Sequence, residues 1–327
     1  MSESKRADEG QDLARVAELW GRTATARVET PLRGWLDSPI VLAEYVQPKQ
    51  TGSATKNWLV GLVERLGIPR TGRWLSLGCG SAGTEIFASE AGLFASLHAL
   101  DASSQALVEA RRAAAARGVE NLSFAETDLN HVSLPSSTFD VAMMCMSLHH
   151  VKNLGGTLSA VRSALKPGGF LLLNEFVGPR QFQFTDLQLG FVRELLALLP
   201  ERLRIDCTTG LPKTEYVRMP VEHWNVADPS EAIRSDEIVE QVGRRFEMAL
   251  RADYGGTILG LLLEHIVHNF RAEDEGDVST IRLLARTEDL LIRHGVLTSD
   301  YTLIAARKRP SWSHRVRSVL ARRDPAG

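Results

Sequence analysis

The stretch Trp74-Leu-Ser-Leu-Gly-Cys-Gly-Ser-Ala-Gly-Thr-Glu-Ile86 runs from apolar residues through three closely spaced glycines into a helical pattern. Trp74, Leu75 and Leu77 read as a strand, Gly78, Gly80 and Gly83 as a tight turn, and Thr84 onward as a helix start. Glycine admits positive φ and lets a ligand approach where a Cβ would stand. The free N–H groups at a helix start favour an anionic or strongly accepting group. The spacing also satisfies G-x-G-x-x-G, so a dinucleotide fold and an ordinary glycine-rich turn both stay open on this stretch alone.

Downstream, strand and helix patterns alternate. Leu97–Leu100 is a short strand ending at Asp101. Ser103 is a good N-cap for a helix from Ser104 to Arg117, closed by Gly118. Leu122–Ala125 leads to Glu126-Thr-Asp128. The continuous apolar run Phe139–Met146 suits a strand covered on both faces. A helix near Leu154–Leu165 ends at the breaker Lys166-Pro-Gly-Gly169, and Phe170–Phe176 is a fifth strand. This alternation predicts an α/β fold with a mostly parallel, doubly wound sheet. Upstream, Trp58, Leu62 and Leu66 fall on one face of a helix beginning near Ser53 and ended by Gly67 and Pro69. Downstream, a helix over Asp186–Leu199, an irregular stretch over 201–230, a helix start at Asp228-Pro-Ser-Glu231 and a strand over Arg245–Tyr254 are expected. Helices near 257–270 and 278–294 and a last strand from Asp300 follow.

The 327 residues, 44% hydrophobic, suffice for one α/β domain with large insertions. A net charge of −2 and a pI near 6.5 give no electrostatic reason to expect nucleic acid. Cys79, Cys145 and Cys207 lie far apart and suggest neither zinc nor a disulfide framework. Met1–Gly10 is polar and lacks the apolar core of a signal peptide. A cytoplasmic protein is the expectation.

Taken together, five blocks carry a resemblance. They are Leu75-Ser-Leu-Gly-Cys-Gly-Ser-Ala-Gly83, Leu100-Asp101, Glu126-Thr-Asp128, Phe139-Asp140 through Leu148-His-His-Val151, and Leu165-Lys-Pro-Gly-Gly-Phe-Leu-Leu-Leu173. In this order the chain resembles the class I S-adenosylmethionine-dependent methyltransferases, most strongly over 72–177. The resemblance implies a Rossmann-like sheet with an antiparallel last strand and helical cap insertions. It divides the chain into 1–11 (disordered), 12–71 (N-terminal helices and lid), 72–177 (cofactor-binding core) and 178–235 (cap insertion). The rest of the core with a helical insertion then spans 236–308, and a basic tail 309–327. It also implies that Gly78, Cys79, Gly80 and Gly83 hold the methionine part of the cofactor, and that Asp101 accepts from the ribose hydroxyls. Ala102 would lie on the adenine, Asp128 and Leu129 would meet its amino edge, and Met146 and Ser147 would face the amino-acid end. As simpler readings, Asp101 is a turn residue and Asp128 a cap.

Transfer to an oxygen acceptor calls for a base near neutral pH. His149 and His150 follow the fourth strand, Glu175 ends the fifth, and His223 lies in the irregular cap; all four are candidates. His265 and His268, at i and i+3, have no carboxylate or cysteine partner in sequence, and no metal site is expected. Phe182, Phe184, Trp224 and Tyr254 are candidates for an acceptor pocket. No Asn-Pro-Pro-Tyr-type block is present, which with the near-neutral charge favours a small-molecule or glycan acceptor. The segments Gly34–Ser38 and Glu175–Pro179 look like bacterial methyltransferases of natural-product and surface-glycan pathways. A catalytically silent, methyltransferase-like binding protein is the alternative. In the tail, Trp312, Val316, Val319 and Leu320 share a helical face amid arginines, which predicts a peripheral membrane contact.

Overall fold

In a computed structural model describing residues 32–309, seven strands form one sheet in the order β3-β2-β1-β4-β5-β7-β6. The strands are β1 (Arg73–Leu77), β2 (Ser96–Asp101), β3 (Leu122–Glu126), β4 (Phe139–Cys145), β5 (Leu165–Phe176), β6 (Glu247–Gly255) and β7 (Tyr301–Arg307). Strands β1 to β5 pair in parallel, and β7 runs antiparallel to both β5 and β6. Strand order reverses between β1 and β4, the position where open α/β sheets bind ligands beyond their carboxyl ends.

The apolar run of β4 is buried on both faces. Val141 and Met143 join the core on one side of the sheet, with Leu59, Leu62 and Val63. Ala142 and Met144 join the other, with Leu158, Val161 and Val242. Side chains two apart share a face of a strand, so an uninterrupted apolar run serves two helical layers. Helix α1 (Trp58–Leu66) starts at Asn57, whose side chain accepts from the Leu59 N–H, and ends at Gly67 with φ 62°. Helices α2 (Gly83–Glu90), α3 (Ser104–Ala116) and α4 (Leu154–Ala164) follow β1, β2 and β4. Ser103 caps α3 by accepting from the Ala106 N–H at 3.2 Å.

Several local expectations change. Lys166-Pro-Gly-Gly169 lies inside β5, whose pairing with β4 shifts register there; Gly168, at φ 80°, absorbs the irregularity. The stretch 201–230 contains a short helix, α6 (Val221–Ala227), after α5 (Asp186–Leu198). No helix starts at Pro229; turns lead instead to α7 (Ile238–Arg245). The helix expected over 257–270 stops at Leu263 (α8, Leu259–Leu263), where Lys213 Nζ donates to the carbonyls of Leu261 and Glu264. The acidic 273–277 run opens α9 (Glu275–Arg293) rather than preceding it. Asp274 caps it, and acidic groups suit the positive end of a helix. Residues 1–31, with the helix expected over Asp12–Trp20, and the tail from 310 lie outside the described residues. Among the described residues no helix is long and apolar enough to cross a membrane.

Candidate active site

A single cleft of about 1180 Å³ opens beyond the carboxyl ends of β1, β2, β4 and β5. All ten residues expected to hold the cofactor line it. On its β1–β2 side the loop is pinned by backbone and carboxylate. The N–H groups of Gly78 and Cys79 donate to the Leu100 carbonyl at 2.7 and 3.1 Å. Asp101 accepts from the Gly80 N–H at 2.7 Å and from the Ser103 N–H at 2.8 Å. Burial raises its carboxyl above the usual range, partly offset by those N–H groups. A carboxylate has about four acceptor sites, so two bonds to the loop leave others for a ligand.

Gly78 is required. It sits at φ 74°, and a Cβ there would lie 2.4 Å from Ser147 Cβ. Ser147 Oγ in turn donates to the Leu77 carbonyl at 2.8 Å, tying the ends of β1 and β4 together. Gly83 behaves differently: Ala82, at φ 60°, takes the left-handed turn before α2, and a Cβ on Gly83 meets nothing within 4 Å. Met146 is also left-handed, at φ 51°, where the cleft meets β4. Asp128 lines the cleft and also caps the turn Leu129–His131, accepting from the Asn130 N–H at 2.9 Å.

The opposite wall is built from distant segments. Phe176, Phe182 and Tyr301 pack edge to face, with ring centroids 5.1 Å (Phe176–Phe182) and 5.3 Å (Phe176–Tyr301) apart. Of the four aromatic candidates only Phe182 lines the cleft. Phe184 stacks behind it at 5.8 Å, Trp224 meets its edge at 5.1 Å, and Tyr254 is buried, donating to Asn174 Oδ1 at 2.6 Å. Trp35 is a buried anchor against Tyr254 and Tyr301, while its neighbour Leu36 reaches the cleft.

His149 and His150 line this wall; Glu175 stands behind it, fully buried, and His223 is exposed outside it. Glu175 accepts the N–H groups of Ser147, Leu148 and Phe176 at 3.0, 2.7 and 2.9 Å and contacts His149 Nδ1. It therefore orients His149 rather than facing the cleft. Glu231 closes the group, 3.4 Å from His149 Nε2 and 4.0 Å from His150 Nε2. The cap holds it there: Ile233 N–H donates to the His149 carbonyl at 3.1 Å, and Ser235 Oγ to the Gly178 carbonyl at 2.9 Å. Burial alone would depress His149, but the Glu175 and Glu231 carboxylates outweigh it and raise it. Burial and the neighbouring His149 lower His150. His265 and His268 do not share a helix. His265 sits at φ 64° with Nδ1 3.6 Å from Asp206, and His268 belongs to the turn Val267–Asn269.

Residues 75–169 match the protein family described as "Methyltransferase domain". This segment is a methyltransferase domain. A similar curated protein is the demethylmenaquinone methyltransferase of Tropheryma whipplei (strain Twist), 27% identical over 174 residues, covering 53% of this chain and 68% of that protein. Tenellin synthetase of Beauveria bassiana (strain ARSEF 2860) is 45% identical over 60 residues, 18% of this chain; the match spans 1% of that much longer protein. Among solved structures, the cyclase SpnF gives a TM-score of 0.49 at 16% identity, covering 93% of this chain and 95% of that one. Geranyl diphosphate C-methyltransferase from Streptomyces coelicolor A3(2) gives 0.48 at 12% identity, covering 91% and 98%.

The methyltransferase domain's cofactor is S-adenosylmethionine, and the cleft residues fit it. Glu85 is the clearest sign: it lines the cleft, is 2% exposed, and its carboxyl accepts from Ser76 Oγ at 2.6 Å and from its own backbone N–H, with no lysine or arginine paired to it among the described residues. Burial pushes it up to about 7. A cationic ligand end relieves such a group. Glu85, Glu231, Phe176 and Tyr301 were not among the residues expected from sequence. Glu85 follows the glycine turn directly and was within reach; the others come together only through the fold.

Proposed function

We propose that the protein transfers the methyl group of S-adenosylmethionine to an oxygen of a small-molecule or glycan-type acceptor. The observation that carries this is one continuous cleft with two unlike walls. The Gly78–Asp101–Asp128 side offers hydrogen-bonding groups to a nucleoside and a buried carboxyl to a cation. The Phe176–Phe182–Tyr301 side is apolar, with the histidine pair and Glu231 at its edge. Small-ligand pockets occupy about 300–1,000 Å³, so a cleft of about 1180 Å³ has room for a donor and a small acceptor together.

S-adenosylmethionine supplies an activated methyl group when bound. The chain's own task is alignment, which supplies about 7–11 kcal/mol of rate enhancement when reacting atoms are held in line. Aromatic rings pack against apolar or sugar faces of an acceptor. The acceptor hydroxyl must also lose a proton. His150 is the candidate to take it: it lines the cleft, with Nδ1 3.1 Å from Ser230 Oγ, which donates to Asp228 Oδ1 at 2.7 Å. A peripheral membrane contact through the tail and a cytoplasmic location remain part of this reading on sequence grounds.

Radiolabelled cofactor offered with panels of hydroxylated metabolites, glycosides, amines and nucleic acids tests the proposal. Methyl ethers of a hydroxylated acceptor are expected. Methylation confined to nitrogen or carbon overturns the oxygen assignment, and cofactor binding without turnover on any acceptor supports the silent binding protein instead.

A further inference from the structure

We infer that Glu231 makes the acceptor end of the cleft selective for charge: it favours a hydroxylated acceptor carrying a protonated amine and turns away carboxylated or phosphorylated ones. This rests on the reading above of that end as the acceptor's. Three carboxyl groups gather there. Glu231 lines the cleft, Glu175 stands behind His149, and Asp228 lies behind Ser230. None of the three is paired with lysine or arginine among the described residues. The positive charge they share is the His149 imidazolium, whose Nδ1 contacts Glu175 and whose Nε2 lies 3.4 Å from Glu231. Burial opposes that charge, but the two carboxylates outweigh it and raise His149 to about 10. Burial also opposes ionisation of Glu231, but the hydrogen bond from His149 and the neighbouring imidazoles hold its carboxyl below the usual range. Asp228 is left over. Its Oδ1 accepts from the Ser230 N–H at 2.9 Å and from Ser230 Oγ at 2.7 Å, while Oδ2 is buried with no hydrogen-bond partner.

The rest of the cleft offsets this little. Lys152 is the one lysine or arginine lining it among the described residues. It is exposed, in the turn before Asn153, whose N–H and side chain bond to Asn130 on the Asp128 side. A charge open to water is screened by salt, whereas one in a desolvated wall is screened much less. Arg180 and Arg234 of the cap are each taken up by Glu237. One imidazolium against three carboxyls leaves the acceptor end with an excess of negative charge. A carboxylate or phosphate brought there meets like charge. A protonated amine meets the opposite case. Glu231 accepts from His149 and from the Ala232 N–H. A carboxylate has about four acceptor sites, so it can also take an N–H of a ligand. The Phe176, Phe182 and Tyr301 rings of the same wall attract a cation to their faces.

The test uses full-length protein with S-adenosylhomocysteine present and three probes that share one phenol body. They are tyramine, its neutral alcohol analogue tyrosol, and 4-hydroxyphenylacetate. Dissociation constants are read at neutral pH by NMR titration. Tyramine is expected to bind tightest and 4-hydroxyphenylacetate weakest, at least ~10-fold apart. The gap should shrink several-fold in Glu231→Gln and in Asp228→Asn and stay as in wild type in His223→Ala. S-adenosylhomocysteine is titrated into the same samples as a check on the fold. Equal binding of the three, a preference for the carboxylate, or no binding of any probe by protein that holds S-adenosylhomocysteine overturns the inference. An unchanged gap in both carboxyl variants overturns it as well. Wild type that keeps the order of the probes without binding S-adenosylhomocysteine supports the charge selection and counts against the cofactor reading. Methyl transfer to the nitrogen of tyramine counts against the oxygen assignment and leaves the charge selection standing.

Discussion

The two walls of the cleft are made differently. On the cofactor side, Gly78, Gly80, Glu85 and Asp101 belong to one strand–turn–helix–strand run, and their bonds are largely to backbone within that run. On the acceptor side, Leu36, His149, Phe182, Glu231 and Tyr301 come from five separate segments, held by contacts between side chains and cap backbone. The first wall is a rigid feature of the strand ends. The second depends on how the cap lies, and Gln181 and Phe182, both left-handed at φ 47° and 54°, mark where the chain is bent to put it there. On the proposed function, the donor and acceptor sites thus rest on different kinds of structure, and mutations should separate them.

The largest effect is expected at the joint between β1 and β4. Gly78→Ala adds left-handed strain and overlap with Ser147, about 3–5 kcal/mol together. Its melting temperature should drop and binding of S-adenosylhomocysteine should vanish; a stable, binding variant would show that the joint is not what sets the cofactor wall.

A pH effect of similar origin follows from Glu85. Its folded value of about 7 lies above the ordinary 4.5. The stabilising effect of that raised value is complete below about 4.5 and is lost as pH rises through about 7. Over that span the loss is on the order of 3 kcal/mol. Urea unfolding on both sides of the window should show Glu85→Gln lacking this fall, while other raised groups such as Asp300 contribute to both proteins alike.

Phe182→Ala sharpens the comparison from the other side. It removes edge-to-face contacts worth about 0.5–1.5 kcal/mol. Acceptor KM should rise several-fold with cofactor affinity unchanged, and an equal loss of both would join the two walls. The smallest effect is a control. Asp274→Ala removes the cap of α9 and should cost about 1 kcal/mol of stability with neither ligand affected, as read by thermal unfolding and titration.

The difference between the walls also explains what sequence could show. Apolar runs covered on both faces, Ser103 as a cap and the glycine turn are local signals, and the sheet and its cofactor-side residues follow from them. The acceptor wall carries no local signal. His150 meets Ser230 across 80 residues, and Glu231 reads in sequence as part of a helix start. Trp224 and Tyr254 read as pocket aromatics because composition does not reveal which face a ring takes. Nothing in the stretch 257–270 itself hints that Lys213 ends its helix from outside. Gly83 was read as a turn glycine when the strained position beside it belongs to Ala82.

The most direct measurement is calorimetric titration of S-adenosylhomocysteine into wild type, Asp101→Ala and Glu231→Gln. The account predicts that wild type binds, that Asp101→Ala loses about 1.5–3 kcal/mol, roughly ten- to a hundred-fold, and that Glu231→Gln binds as wild type does. No binding by wild type, or the same loss in both variants, would contradict it.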